Sequence, residues 1–103
     1  MVFRYEVTVR FHEVDRAGIA FFGRVFEYCH IAFEEMLVAA DDSLRSVFEH
    51  GGWAMPLVHA EADFKSPMMM GDKLVVELSV DGLGEHSISF GSSLKGPNGQ
   101  LCA

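Results

Sequence analysis

Phe11-His12-Glu13-Val14-Asp15-Arg16-Ala17-Gly18-Ile19-Ala20-Phe21-Phe22-Gly23 runs straight into a helical pattern from Arg24 to Ala40. This junction of an acidic turn with a long helix decides the fold. Within the helical stretch, Val25, Phe26, Cys29, Ala32, Phe33, Met36, Leu37 and Ala40 recur at the spacing of one apolar stripe. Glu27, His30, Glu34 and, at its margin, Glu35 take the other side. Asp15 to Gly18 read as a turn that delivers a carboxylate just ahead of a helix N-terminus. Such an end offers unpaired backbone N–H groups and partial positive charge, which suit an oxygen developing negative charge.

Upstream, residues 2–12 alternate. Phe3, Tyr5, Val7, Val9 and Phe11 face one way, with Arg4, Glu6, Thr8, Arg10 and His12 opposite, which predicts a half-buried strand. Downstream, Asp41-Asp42-Ser43 close the long helix and cap a short one over Leu44 to His50, ended by Gly51-Gly52. From Trp53 the period changes to two. Residues 54–64 predict a strand with Val58, Ala60, Ala62 and Phe64 on one face and Leu57, His59, Glu61 and Asp63 on the other.

Lys65-Ser66-Pro67 interrupts it, and Met68 to Asp72 lead into a strand that alternates Leu74, Val76, Leu78 and Val80 with Val75, Glu77, Ser79 and Asp81. Asp81 to Glu85 turn the chain into a strand over Ser87 to Leu94. Lys95 to Gly99 form a further turn, and Gln100 to Ala103 begin another strand. One amphipathic helix with four or five strands, each with one apolar face, predicts an α+β fold: an antiparallel sheet wrapped around the helix. The 103 residues make one domain without repeats or linkers.

Half of the residues are hydrophobic, which excludes a disordered chain. A net charge of −7 argues against nucleic acid as a partner. No apolar run approaches a membrane span, so no membrane partner is expected. Cys29 and Cys102 lack a disulfide framework and read as reduced thiols of a cytoplasmic protein. Apolar strand faces left uncovered predict an oligomer.

The segments Val14-Asp15-Arg16-Ala17-Gly18-Ile19-Ala20-Phe21-Phe22, Cys29-His30-Ile31-Ala32-Phe33-Glu34-Glu35, Pro56-Leu57-Val58-His59-Ala60 and Gly71-Asp72-Lys73-Leu74 follow one another in an order that resembles a known family. They are similar to the hotdog-fold acyl-CoA thioesterases of the 4-hydroxybenzoyl-CoA thioesterase family, most of all its 1,4-dihydroxy-2-naphthoyl-CoA hydrolase-like branch. The resemblance implies a hotdog fold, a catalytic carboxylate at Asp15, and a backbone N–H at Phe22 that polarises the thioester carbonyl. It also implies sites at a subunit interface, hence a homodimer or homotetramer. No bound cofactor is expected, since CoA arrives as part of the substrate. Three departures stand out: Phe22 supplies no side-chain acid, Arg24 stands where the family often has Asn, and relatives run some tens of residues further through a completed last strand.

With that resemblance, the expected function is hydrolysis of an acyl-CoA; an aromatic acyl group fits the resemblance and the Phe and Met content, and short aliphatic acyl groups remain open. Asp15 acts as nucleophile or as general base on water; the sequence leaves both open. Gly18, Ile19, Phe22, Gly23 and His59 are the expected oxyanion or substrate-binding residues, and Lys65 and Arg24 the expected partners of CoA phosphates. A bland reading stands beside the first of these: Asp15 can simply be a turn residue accepting local N–H groups. His59-x-Glu61-x-Asp63 spaces three potential metal ligands along one strand face about 7 Å apart, whereas metal sites draw ligands converging from several elements, so a solvated or ion-paired face is expected and no metal site. The rival reading is a non-catalytic hotdog module that binds acyl-CoA or joins an assembly. Hydratase chemistry on the same fold would need an Asp/His pair that the sequence does not offer.

Overall fold

The computed structural model describes residues 2–41 and 56–103. Strand β1 (Phe3–Thr8) leads through a single 3-10 turn (Phe11–Glu13) to helix α1 (Arg24–Asp41). Strands β2 (Lys73–Leu83) and β3 (Ile88–Lys95) follow. The three strands form one antiparallel sheet in the order β1-β2-β3. Phe3 pairs with Leu78 and Thr8 with Lys73, while Val76 pairs with Leu94 on the other side.

This register sets Val7, Leu74, Val76, Leu78 and Leu94 on the face covered by α1, where all five are buried. Val25, Tyr28 and Ala32 meet them from the helix, and together these residues build the core. On the opposite face Glu77 lies between Arg4 at 2.7 Å and Lys95 at 2.9 Å. Hydrogen bonds from Lys95 first and Arg4 second hold the Glu77 carboxyl below the usual carboxylate range.

Several sequence expectations are corrected in detail. The buried helix stripe is Val25, Tyr28 and Ala32, whereas Phe26 is 38% exposed and Ala40 is exposed. Tyr28 carries a polar hydroxyl yet lies three residues after Val25 and four before Ala32, so its ring belongs to the stripe. Phe33 does lie on the stripe as expected, packing edge-on against Phe90 of β3 with ring centroids 5.1 Å apart. Phe11 does not continue the inward face of β1. The strand stops at Thr8, and the 3-10 turn leaves Phe11 81% exposed. β2 extends to Leu83, with a register irregularity between Val80 and Gly82, so the reversal falls at Gly84–Ser87, where Gly84 N–H donates to Ser87 O.

Residues 56–64 form no strand. Among the described residues their backbone finds no adjacent strand to pair with, and all but Ala62 are exposed. Only at the end of the run do Lys65 and Ser66 donate to Cys102 O, at 2.8 and 3.3 Å. Leu57 and Val58 are accordingly 81% and 89% exposed. Among the described residues the sheet thus has three strands where four or five were expected. Beyond β3, Leu101 bridges to Lys95 and Cys102 N–H donates to Leu94 O at 2.7 Å, which is the expected beginning of a further strand. The short helix expected over Leu44 to His50, with its caps and Trp53, lies outside the described residues. No helix among the described residues is long and apolar enough to cross a membrane.

Candidate active site

The loop between β1 and α1 is pinned at both sides. Val14 bridges to Ala20, and Asp15 N–H donates to Ile19 O at 2.9 Å, closing a tight loop with Arg16-Ala17-Gly18 at its tip. The return limb is sewn to the segment before β2: Ala20 N–H donates to Met68 O at 2.7 Å, and Met70 N–H to Gly18 O at 3.0 Å. Gly18 has φ +77°, a left-handed conformation that L side chains adopt at a cost. Nothing lies within 4 Å of a Cβ placed there, so the penalty for Gly18→Ala is conformational, about 1 kcal/mol. A thermal melt is expected to drop by about 4–8 °C, the shift that 1 kcal/mol produces in a domain of this size.

Asp15 is exposed, and its Oδ1 accepts the Ala17 N–H at 2.8 Å. The bland reading is therefore present in fact: the carboxylate caps its own turn. That bond occupies one oxygen; Oδ2 has no hydrogen-bond donor among the described residues.

At the helix start, Arg24 N–H donates to Phe21 O at 2.8 Å and Val25 N–H to Phe22 O at 3.4 Å. Phe21 N–H is taken by Glu13 O at 2.9 Å. Among the described residues, the N–H groups of Phe22 and Gly23 have no partner. They sit at the positive end of the 18-residue helix, where an incoming anionic oxygen is favoured.

Asp15, Ile19, Phe21 and Phe22, together with Phe64, Lys65, Pro67 and the buried Met68, line an open depression of about 460 Å³. The Phe21 and Phe22 rings lie 4.6 Å apart at 39° and are 50% and 63% exposed, leaving aromatic faces toward solvent. Four of the residues expected at the site, Asp15, Ile19, Phe22 and Lys65, are thus brought together. Gly18 and Gly23 shape the backbone on either side without lining the depression. Arg24 lies elsewhere, with Nη1 2.8 Å from Glu27 Oε2 and Nη2 3.3 Å from His12 O. His59 is on the 56–64 run, exposed, with Nε2 3.4 Å from Glu61 Oε2.

Two residues that sequence reading passed over are central to the loop. Glu13 is 7% exposed, and Tyr28, 1% exposed, donates its hydroxyl to Glu13 Oε1 at 3.0 Å. Burial first, and the bond to Glu13 second, push the Tyr28 phenol far above its ordinary range, so it remains a donor. Both cysteines are free, and burial raises each thiol.

Residues 9–103 match the family model described as thioesterase-like superfamily. The chain belongs to that superfamily. Two proteins named 1,4-dihydroxy-2-naphthoyl-CoA hydrolase are similar to it. The one from Nostoc punctiforme is 43% identical over 82% of this chain and 57% of its own length. The one from Trichodesmium erythraeum is 39% identical over 92% of this chain and 70% of its own. The crystal structure of a 1,4-dihydroxy-2-naphthoyl-CoA thioesterase from Synechocystis superposes with a TM-score of 0.90. It is 32% identical and covers 99% of this chain and 75% of that one. The chain thus spans little more than half the length of the first of these relatives. The fold is the hotdog fold, with its helix against an antiparallel sheet, as the sequence led one to expect.

Proposed function

We propose that the chain hydrolyses an acyl-CoA thioester, releasing a carboxylic acid and the free CoA thiol, and that the acyl group is aromatic. The observation that carries this reading is the depression lined by both Asp15 and Phe22, beside a helix N-terminus whose Phe22 and Gly23 N–H groups have no partner among the described residues. A thioester carbonyl oxygen directed at the Phe22 and Gly23 N–H groups gains negative charge where the helix end favours it. Asp15, through the oxygen not engaged with Ala17, either attacks the carbonyl carbon or takes a proton from an attacking water. In the first course the C–S bond breaks as the Asp15 C–O bond forms, and water then hydrolyses the mixed anhydride to the free acid and restores Asp15; in the second the water oxygen forms the new C–O bond as the C–S bond breaks. In both the sulfur leaves as thiolate and takes up a proton. Phe21, Phe22 and Phe64 offer rings for an aryl group to stack on. The names of the relatives, hydrolases of 1,4-dihydroxy-2-naphthoyl-CoA, support the same class of substrate.

Lys65, at the rim, is the proposed contact for CoA phosphates. Arg24 and His59 require substrate or partner to approach from outside the depression. A second copy of the chain is the proposed cover for the adjacent exposed side chains of Leu57 and Val58. A cytoplasmic setting fits the two free thiols.

The test is thiol release from a panel of 1,4-dihydroxy-2-naphthoyl-, benzoyl- and butyryl-CoA. We expect kcat/KM for the aryl esters to exceed that for butyryl-CoA by at least about ten-fold, the discrimination that a shaped apolar pocket supplies. Butyryl-CoA turned over as fast as the aryl esters would overturn the aromatic assignment. Binding of all three esters without thiol release would favour the non-catalytic module, for which the Ala17–Asp15 bond and the missing side-chain acid at Phe22 speak.

A further inference from the structure

Glu13 is the one carboxylate buried among the described residues, and three elements meet on it. Its Oε1 accepts Arg10 N–H at 2.8 Å, from the chain leaving β1, and the Tyr28 hydroxyl at 3.0 Å, from the second turn of α1. Its backbone carbonyl accepts Phe21 N–H at 2.9 Å, from the segment that precedes the free N–H groups of Phe22 and Gly23. Two residues further along the chain is Asp15. The two halves of the candidate chemistry, the carboxylate and the helix-start amides, therefore both adjoin one residue, whose side chain ties it to Arg10 and to Tyr28 of α1.

The Glu13 side chain caps the 3-10 turn through Arg10 N–H, but a cap alone does not require the bond to Tyr28. Burying a carboxylate and a phenol costs desolvation that their mutual hydrogen bond offsets only in part, and apolar side chains of similar size fill such a space as well or better. Nor does Glu13 face the depression, whose lining includes neither it nor Tyr28. What the pair supplies over an apolar filling is direction: two bonds to a single oxygen fix where the residue 13–15 backbone stands relative to the helix axis.

We propose that Glu13 and Tyr28 are positioning residues, which set the Asp15 loop against the N-terminus of α1 so that carboxylate and oxyanion donors keep a working separation. This rests on the thioesterase reading above. Misplacing reacting groups by about 1 Å costs roughly 10²-fold in rate. The double variant Glu13→Met/Tyr28→Phe replaces both polar groups with apolar ones of similar size. It is expected to keep its melting temperature within a few degrees, while kcat on 1,4-dihydroxy-2-naphthoyl-CoA falls roughly 10²-fold and KM stays within about three-fold. Glu13→Gln offers the same acceptor oxygen to Arg10 and Tyr28 and is expected to hold kcat within about three-fold of the unaltered chain.

A double variant with unchanged kcat overturns the proposal, and so does a Gln variant as impaired as the double variant. Amide hydrogen exchange provides a readout independent of turnover. In the double variant, Asp15 and Phe21 N–H are expected to exchange faster while Val76 N–H, in the centre of β2, does not change. If the unaltered chain releases no thiol, the thioesterase reading fails; faster exchange confined to Asp15 and Phe21 then still supports the positioning role, and unaltered or uniformly faster exchange overturns it.

Discussion

Asp15→Asn is expected to lower turnover of an aryl-CoA thioester by roughly 10²–10⁴-fold, the contribution of a well-placed carboxylate base or nucleophile. The substitution is informative because the turn tolerates it. Asn offers an amide oxygen where Asp15 Oδ1 now accepts Ala17 N–H at 2.8 Å, so the loop closed by Asp15 and Ile19 keeps its internal bonds. The side chain is exposed, so losing its charge leaves no desolvated partner behind. Melting temperature and oligomeric size should therefore be unchanged. Asp15→Ala is the contrasting case: it loses the same chemistry and also the turn bond, worth about 1 kcal/mol. Equal loss of turnover in both variants, with a lower melting temperature only for Ala, separates the chemical role of Asp15 from its role in the turn. Full turnover in Asp15→Asn would reduce the residue to its turn-capping function.

The second large effect belongs to a backbone atom. Phe22 N–H cannot be removed by changing a side chain, but an amide-to-ester exchange at this position replaces the donor with an oxygen. It is expected to lower kcat roughly 10²–10³-fold, the usual cost of one oxyanion donor. This N–H has no partner among the described residues, so the exchange removes no donated bond; it does make Phe21 O, which accepts Arg24 N–H at 2.8 Å, a weaker ester acceptor, and a small loss of stability of up to about 1 kcal/mol is expected. The same exchange at Phe21 removes the bond to Glu13 O at 2.9 Å and should lower stability as well. A Phe22 ester with unimpaired kcat would move the oxyanion site elsewhere, with Gly23 N–H next in line.

Much of this was legible in the sequence because alternation and helical periodicity are local. Leu74, Val76 and Leu78 point inward in β2 as their spacing requires, and the acidic turn does sit directly ahead of the long helix. The resemblance carried by the turn and helix segments led to the superfamily that residues 9–103 match. What periodicity could not supply were contacts that depend on a distant partner. The 56–64 run alternates as a strand should, yet a strand exists only where another backbone accepts its bonds, and among the described residues it has none before Lys65.

Glu13 escaped notice for the opposite reason. An isolated acid reads as surface, and only the fold places the Tyr28 hydroxyl and the Arg10 amide around it. One sequence signal was available. Tyr28 interrupts an otherwise apolar stripe, and a buried phenol needs an acceptor, which an acid just before the helix can provide. Phe11, by contrast, followed the alternation of β1 on paper and left it in three dimensions, because a 3-10 turn of three residues re-aims the chain.

The central claim is tested most directly by following free CoA thiol as the unaltered chain meets 1,4-dihydroxy-2-naphthoyl-CoA. The account predicts release far above the spontaneous rate, with one carboxylic acid formed for each thiol. A folded protein that binds the ester and leaves its hydrolysis at the spontaneous rate would contradict it.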